Sequence, residues 1–382
     1  MTQVTGHWID QPQTQAVSAM LTGAGYQALF VGGCVRNALL GEPVNDIDIS
    51  TDALPETVVA LAEDAGLKPV PTGIDHGTVT VVSGHVPHEV TTFRRDVETD
   101  GRRAVVAYTN QVEDDARRRD FTMNALYARA DGSLVDPLGG LPDLRARRVL
   151  FIEDPEARIR EDYLRILRFF RFYAWYGDPQ AGIDPDGLAA CAALSHGLET
   201  LSVERITAET MKLLSAPDPA PAVASMNQAG VLARIVPGAT ADALPRLVDL
   251  EASAGALPAG IRRLAALGGD PAAHLRLSKQ AARQLDALRA QIGSSAGAAE
   301  IAYRHGPDTA HDAVLLRAAL TGQSVPGGVE AEIAHGAAAR FPVKPADLMP
   351  VLTGAALGER LRDLEQAWIS SGFSLSRDEL LR

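Results

Sequence analysis

Cysteine is almost absent: Cys34 and Cys191 are the only two, far apart and without cysteine or histidine partners at zinc spacing. That excludes a disulfide framework and a structural zinc site, and leaves both thiols as small buried side chains. Long apolar runs are lacking as well. No segment stays apolar over the thickness of a bilayer, and Met1 to Gln15 carry neither the basic flank nor the apolar run of a secretory signal. A cytoplasmic protein without a membrane span is therefore expected. The third deficit is positive charge. A net charge of −12 argues against indiscriminate nucleic-acid binding, because a protein that neutralises phosphates broadly carries a basic total. No fixed-period repeat is present, and nothing is of low complexity beyond alanine-rich stretches. The 382 residues, 46% of them hydrophobic, suffice for more than one domain.

The positive charge that is present is local. Arg117, Arg118 and Arg119 form one cluster, and Arg145, Arg147, Arg148, Arg158, Arg160, Arg165, Arg168 and Arg171 outnumber the acids around them. Such a distribution fits an anion-binding region or, read arginine by arginine, solvated helix faces.

Two regimes follow one another along the chain. In the first third, helices are expected at Pro12 to Leu21, Val35 to Leu40 and Pro55 to Ala65, interleaved with strands at Ala28 to Val31, Asp46 to Ser50, Thr78 to Val82 and Glu89 to Phe93. This is an α/β sheet domain. The polar stretch from Arg95 to Gln111, rich in Asp, Arg and Gly, reads as a mobile loop. After Asp136-Pro137-Leu138-Gly139-Gly140 strand signals fade, and helices broken by Pro and Gly continue to the end. Residues 1–140, 141–215 and 216–382 are the divisions this implies.

Three constellations carry chemistry. In the first, Gly32 and Gly33 end a strand and open a helix, so backbone N–H groups can approach a phosphate closely, with Arg36 on the first turn as a charge-assisted partner. Ten residues later come Asp46-Ile47-Asp48. On a strand the two carboxylates share one face while Ile47 and Ile49 turn to the core, and like charges held that close call for a cation, for which hard oxygen ligands suit Mg²⁺. Two exposed acids on an edge strand are the plainer alternative. Glu89, on its own strand, is a third acid for the same site or an exposed strand glutamate; the nearby His85 and His88 read as solvated. The second constellation is Arg118-Arg119-Asp120-Phe121-Thr122-Met123-Asn124, where Asp120 could cap a helix and Arg119 reach a triphosphate. The third runs Glu161-Asp162-Tyr163-Leu164-Arg165 through Arg168 to Arg171 on one mostly apolar helix. Its arginines wind as a slanting ridge that meets an anion or pairs with Glu153, Asp154 and Glu156. His311-Asp312 reads as a surface pair.

In order and spacing, these runs resemble the class II CCA-adding tRNA nucleotidyltransferases and bacterial poly(A) polymerases of the polymerase β superfamily, over roughly Tyr26 to Pro217. The resemblance implies an α/β nucleotidyltransferase head followed by an all-α neck, body and tail. It implies triphosphate contacts at Gly32, Gly33, Arg36 and Arg119, Mg²⁺ ligands at Asp46 and Asp48, and an active-site acid at Glu89. It implies base recognition by Asp162 and Arg165, with further nucleotide-binding arginines at Arg168 and Arg171. Leu201 to Ile206 matches the family's next helical motif, a structural one. Asn37 departs from the Asp that usually follows Val-Arg. The activity implied is template-independent addition of CCA to the 3′ end of tRNA from CTP and ATP, with no protein partner. A poly(A) polymerase or a partial CC- or A-adding enzyme of the same family, and a catalytically inactive RNA-binding protein, are the alternatives.

Overall fold

The computed structural model describes residues 2–100 and 103–382, the side chains of 72, 96–100 and 103–106 excepted. The chain divides into two compact units, Met1–Ile235 and Val236–Arg382. In the first, a seven-stranded sheet has the order β3-β4-β5-β2-β1-β8-β9, formed by β1 (Leu29–Val31), β2 (Asp48–Thr51), β3 (Lys68–Gly73), β4 (Thr78–Ser83), β5 (Val86–Thr92), β8 (Tyr127–Ala128) and β9 (Leu134–Val135). Its neighbours pair antiparallel except β2 and β5, which run parallel.

Alternation along the strands separates two faces. Phe30 turns toward Trp8, ring centroids 5.1 Å apart, and the helices Pro12–Gly23 and Pro55–Asp64 cover β3, β4 and β5. Leu29 and Val31 turn the other way, into a core with Phe93, Ala116, Ala125, Tyr127 and Ile152. His88 is buried, its Nε2 3.0 Å from the Thr14 hydroxyl and its Nδ1 3.3 Å from the Val81 carbonyl oxygen, and burial lowers its pKa. It therefore ties β5 to a helix and is not solvated. The next residue, Glu89, is exposed. The polar stretch expected as a loop is instead a hairpin, β6 (Arg94–Asp100) with β7 (Arg103–Tyr108). Residues 101 and 102 of that stretch lie outside the described residues.

The helical remainder of this unit is pinned to the sheet by aromatic rings. Phe121 lies 5.0 Å from Phe151 and 5.0 Å from Phe172, and Phe151 stacks on Phe169 at 5.2 Å. The helix Leu164–Tyr176, which carries Phe169 and Phe172, packs in turn on Val203–Leu214 and Ala220–Gln228. The expected single helix through Glu161 and Arg171 is interrupted. One helix, Pro155–Glu161, stops at Asp162, whose backbone is extended, and the next begins at Leu164. The Asp162 Oδ1 accepts the Leu164 N–H at 3.1 Å, a local bond that competes with helix continuation.

The second unit is helical, with an alanine-rich core around Ile301, Val314 and Ile333 and a core of leucines and aromatic rings around Leu364, Trp368 and Ile369. Glu251 accepts from both Arg262 and Arg263, and Arg262 also meets Asp312, which is buried. Of the expected surface pair, Asp312 thus belongs to an internal ion network, while His311 is half-buried beside the exposed Glu330. No helix among the described residues is long and apolar enough to cross a membrane.

Close packing adjoins the Asp162 interruption. A Cβ added to Gly197 would stand 2.0 Å from two carbons of the Tyr163 ring. Gly197→Ala should therefore cost about 1–3 kcal/mol of stability. Urea denaturation reads this directly, and an unchanged midpoint would contradict the packing.

Candidate active site

The site grows from the end of β1. Gly32, with φ 70° and ψ −120°, turns the chain from the strand into the helix Gly33–Leu40, a conformation that only glycine adopts without strain. Both glycines lie beside guanidinium groups. A Cβ at Gly32 would stand 3.5 Å from Arg119 Nη1, and one at Gly33 would stand 3.9 Å from Arg36 Nη2. Two cations therefore flank a turn whose backbone N–H groups begin a helix, an arrangement suited to a polyphosphate.

Across the sheet lie the carboxylates. Asp48 opens β2, and its register partner in the parallel β5 is Glu89, so the two side chains share one face. Asp46 falls two residues before the strand and is exposed, instead of standing within it as expected. Burial, then Glu89, then Asp46 push the Asp48 pKa up to about 6, against the opposing pull of Arg119. Asp48 therefore carries, at neutral pH, a charge that Arg119 only partly offsets. A divalent cation held by Asp46 and Asp48 would relieve it, with phosphate oxygens and water completing a hard coordination shell. Among the described residues no group of three or more His, Cys, Asp or Glu side chains is arranged to hold a metal.

Arg119 is aimed by residues that sequence reasoning passed over. Asp115 is almost fully buried, and its Oδ2 accepts from Arg119 Nη2 at 3.0 Å and from the Tyr127 hydroxyl at 2.9 Å. Its Oδ1 accepts from Arg118 Nε at 3.3 Å. Burial would lower the Arg119 pKa, but Tyr127 and Asp115 raise it. The i, i+4 spacing of Asp115 and Arg119 was the signal that could have found this pair.

Asp120 is not a helix cap. Its Oδ1 accepts the Phe121 N–H at 2.9 Å and the Asn124 side-chain amide at 2.8 Å, while its Oδ2 accepts Arg168 Nε at 2.7 Å. Despite burial, Arg168 and Asn124 hold its carboxyl below the usual range. Asn124 Oδ1 then accepts from Arg36 Nη1 at 2.5 Å. Asn37 accepts from Arg36 and donates to the Pro43 carbonyl, so the departure from Asp leaves a neutral partner beside Arg36.

On the helical side, Asp162 and Arg165 do not bond to one another. Asp162 Oδ2 accepts from Arg205 Nη2 at 2.6 Å. Arg165 donates to Glu161 and to the carbonyls of Arg158 and Arg118. Arg171 pairs with Glu209 at 2.5 Å. The expected partners Glu153 and Glu156 serve Arg117 and Arg160 instead, and Asp154 caps the helix Pro155–Glu161. Arg205 lies in the motif read as structural, so its contact with Asp162 was within reach of the sequence; Glu209 carried no signal.

Comparison with known proteins fits this geometry. Residues 28–150 match the poly A polymerase head domain family, and residues 182–242 match the family described as the probable RNA and SrmB-binding site of polymerase A. A CCA-adding enzyme of Leuconostoc citreum is 42% identical over 204 residues, 53% of this chain and 49% of that protein. The human mitochondrial CCA tRNA nucleotidyltransferase 1 is 38% identical over 201 residues, 52% of this chain and 46% of that protein. The chain thus spans about half the length of the curated relatives it matches. Among solved structures, the Bacillus stearothermophilus CCA-adding enzyme in complex with CTP is 29% identical with a TM-score of 0.72, covering 94% of each chain. Fold and site together define a nucleotidyltransferase head followed by helices. Residues 28–150 thus carry a poly A polymerase head domain, and the relatives and structural neighbours that the chain resembles are CCA-adding enzymes.

The raised Asp48 pKa sets a pH test. The unfolded carboxyl titrates near 3.9 and the folded one near 6, so folding is penalised as pH rises through that window and the penalty is constant above it. In metal-free buffer, Asp48→Asn should be more stable than wild type by about 1–3 kcal/mol at pH 7.5, and the gap should close below about pH 4. A gap independent of pH in thermal or urea melts would remove Asp48 from the strained pair.

Proposed function

We propose that the protein adds CCA to the 3′ end of tRNA in the cytoplasm, without a template, taking nucleotides from CTP and ATP. The observation that carries this is one continuous site in which the glycine turn, Arg36, Arg119 and the Asp48–Glu89 face adjoin the helix bearing Arg165, Arg168 and Arg171. Support also comes from the relatives, which are named CCA-adding enzymes, and from the solved CTP complex. In this reading residues 1–140 form the catalytic head, 141–215 the neck that reads the base, and 216–382 the body and tail that hold RNA.

The glycine turn, Arg36 and Arg119 bind the triphosphate and offset its charge. Asp46 and Asp48 would hold Mg²⁺, which when bound lowers the pKa of the attacking 3′-hydroxyl and stabilises the departing pyrophosphate. Glu89 adds negative charge beside Asp48 that favours the cation. Base choice falls to Asp162 and Arg165. Cytosine and adenine each present an exocyclic amino donor beside an unprotonated ring nitrogen, whereas uracil and guanine present a carbonyl beside a ring N–H. The Asp162 carboxylate has spare acceptor capacity, since Leu164 and Arg205 take one bond on each oxygen. Arg165 uses three N–H groups in its protein contacts and keeps two for a ligand. An acceptor and a donor on adjacent elements thus match CTP and ATP and oppose UTP and GTP. Arg168 and Arg171 add positive charge alongside.

The test is incubation with Mg²⁺, a tRNA lacking its 3′ end, and CTP and ATP singly and together. Ordered addition of two C and one A is expected, and Asp46→Ala or Asp48→Ala should lower the rate by roughly two orders of magnitude or more. A long A tail would make the protein a poly(A) polymerase. Near-normal turnover in both variants would defeat the assignment of the carboxylate pair.

A further inference from the structure

Arg36 is buried at 7% exposure, yet none of its hydrogen-bond partners among the described residues carries a charge. Asn37 and Asn124 hold it from the sheet region; Tyr176, the last residue of the helix Leu164–Tyr176, holds it from the helical side. Its Nη2 donates to the Tyr176 hydroxyl at 2.9 Å, and its guanidinium carbon stands 4.1 Å from the Tyr176 ring centroid and 5.1 Å from that of Phe172. The nitrogen that Tyr176 holds is the one beside Gly33. Tyr176 therefore decides where the positive charge stands relative to the glycine turn.

The same helix carries Arg165, eleven residues and some ~16 Å earlier along its axis. A displacement of that helix is thereby registered at Arg36. We propose that Tyr176 is a positioning residue that sets Arg36 against the triphosphate site and couples that site to the base-reading helix. This rests on the function proposed above. Tyr176 acts through Arg36 and touches neither the carboxylate pair nor the base-reading residues, so its loss should weaken triphosphate binding whatever the base. Losing an interaction made equally in the ground and transition states raises KM and leaves kcat unchanged.

Two variants separate positioning from packing. Tyr176→Phe keeps the ring and removes the acceptor; Tyr176→Leu removes both. Calorimetric dissociation constants are measured for MgCTP, MgATP and magnesium tripolyphosphate, beside kcat, KM and Tm. Tyr176→Leu is expected to weaken all three ligands by about tenfold and Tyr176→Phe by about threefold, with kcat within about twofold of wild type. In an Arg36→Lys background, Tyr176→Leu should add little further loss, as for residues acting in series. A lower Tm with unchanged dissociation constants, or full additivity with Arg36→Lys, would overturn the proposal. Tripolyphosphate binding needs no RNA and no transfer, so a protein that binds it but transfers nothing would sink the transfer reading while the Tyr176 result still stands. A wild type that binds no tripolyphosphate would overturn the Tyr176 assignment.

Discussion

The carboxylate of Asp120 is the joint on which the site depends. It is almost entirely buried, and it meets Arg168 from the helix Leu164–Tyr176 on one oxygen and its own turn, through Phe121 N–H and Asn124, on the other. A buried ion pair is costly to assemble and costlier to break by halves, because loss of one partner strands the other charge away from water. The aromatic contacts of Phe121 with Phe151 and Phe172 supply apolar area around the same joint. Charge fixes the register of helix on sheet, and rings supply the adhesion.

From that joint a polar chain extends to the arginine beside the glycine turn: Arg168 to Asp120, Asp120 to Asn124, Asn124 to Arg36. Phe172 lies under three guanidiniums, those of Arg36, Arg168 and Arg171, at 5.1, 5.3 and 4.5 Å. Each cation keeps its charge near a polarisable face that does not neutralise it. The carboxylate face of β2 and β5 is built on the opposite principle, with Asp48 and Glu89 left facing one another in register. Positive charge without a full complement of anions stands beside negative charge that Arg119 only partly offsets, and a metal–triphosphate complex has both signs.

Much of this was legible in the residues. Gly32-Gly33 gave the strand-to-helix turn because a φ of 70° admits little else, and the alternation of β4 and β5 set the face of Glu89. The interruption at Asp162 was not legible, because neither Pro nor Gly marks it; a side-chain bond to the Leu164 N–H does. The hairpin of β6 and β7 was missed because polar composition says nothing of backbone pairing. His88 was misjudged since its partner Thr14 lies 74 residues away. Tyr176 and Glu209 gave no signal, for their meaning lies in contacts 140 and 38 residues distant in sequence.

The central claim is that the sheet region holds the triphosphate while Asp162 and Arg165 choose the base. Equilibrium binding of CTP, ATP, UTP and GTP, with Mg²⁺ and without RNA, tests it most directly in wild type and Asp162→Ala. The account predicts that wild type prefers CTP and ATP over UTP and GTP by roughly ten- to a hundredfold, and that Asp162→Ala compresses the four constants toward one another. Four equal constants in wild type, or an unchanged preference in Asp162→Ala, would contradict it.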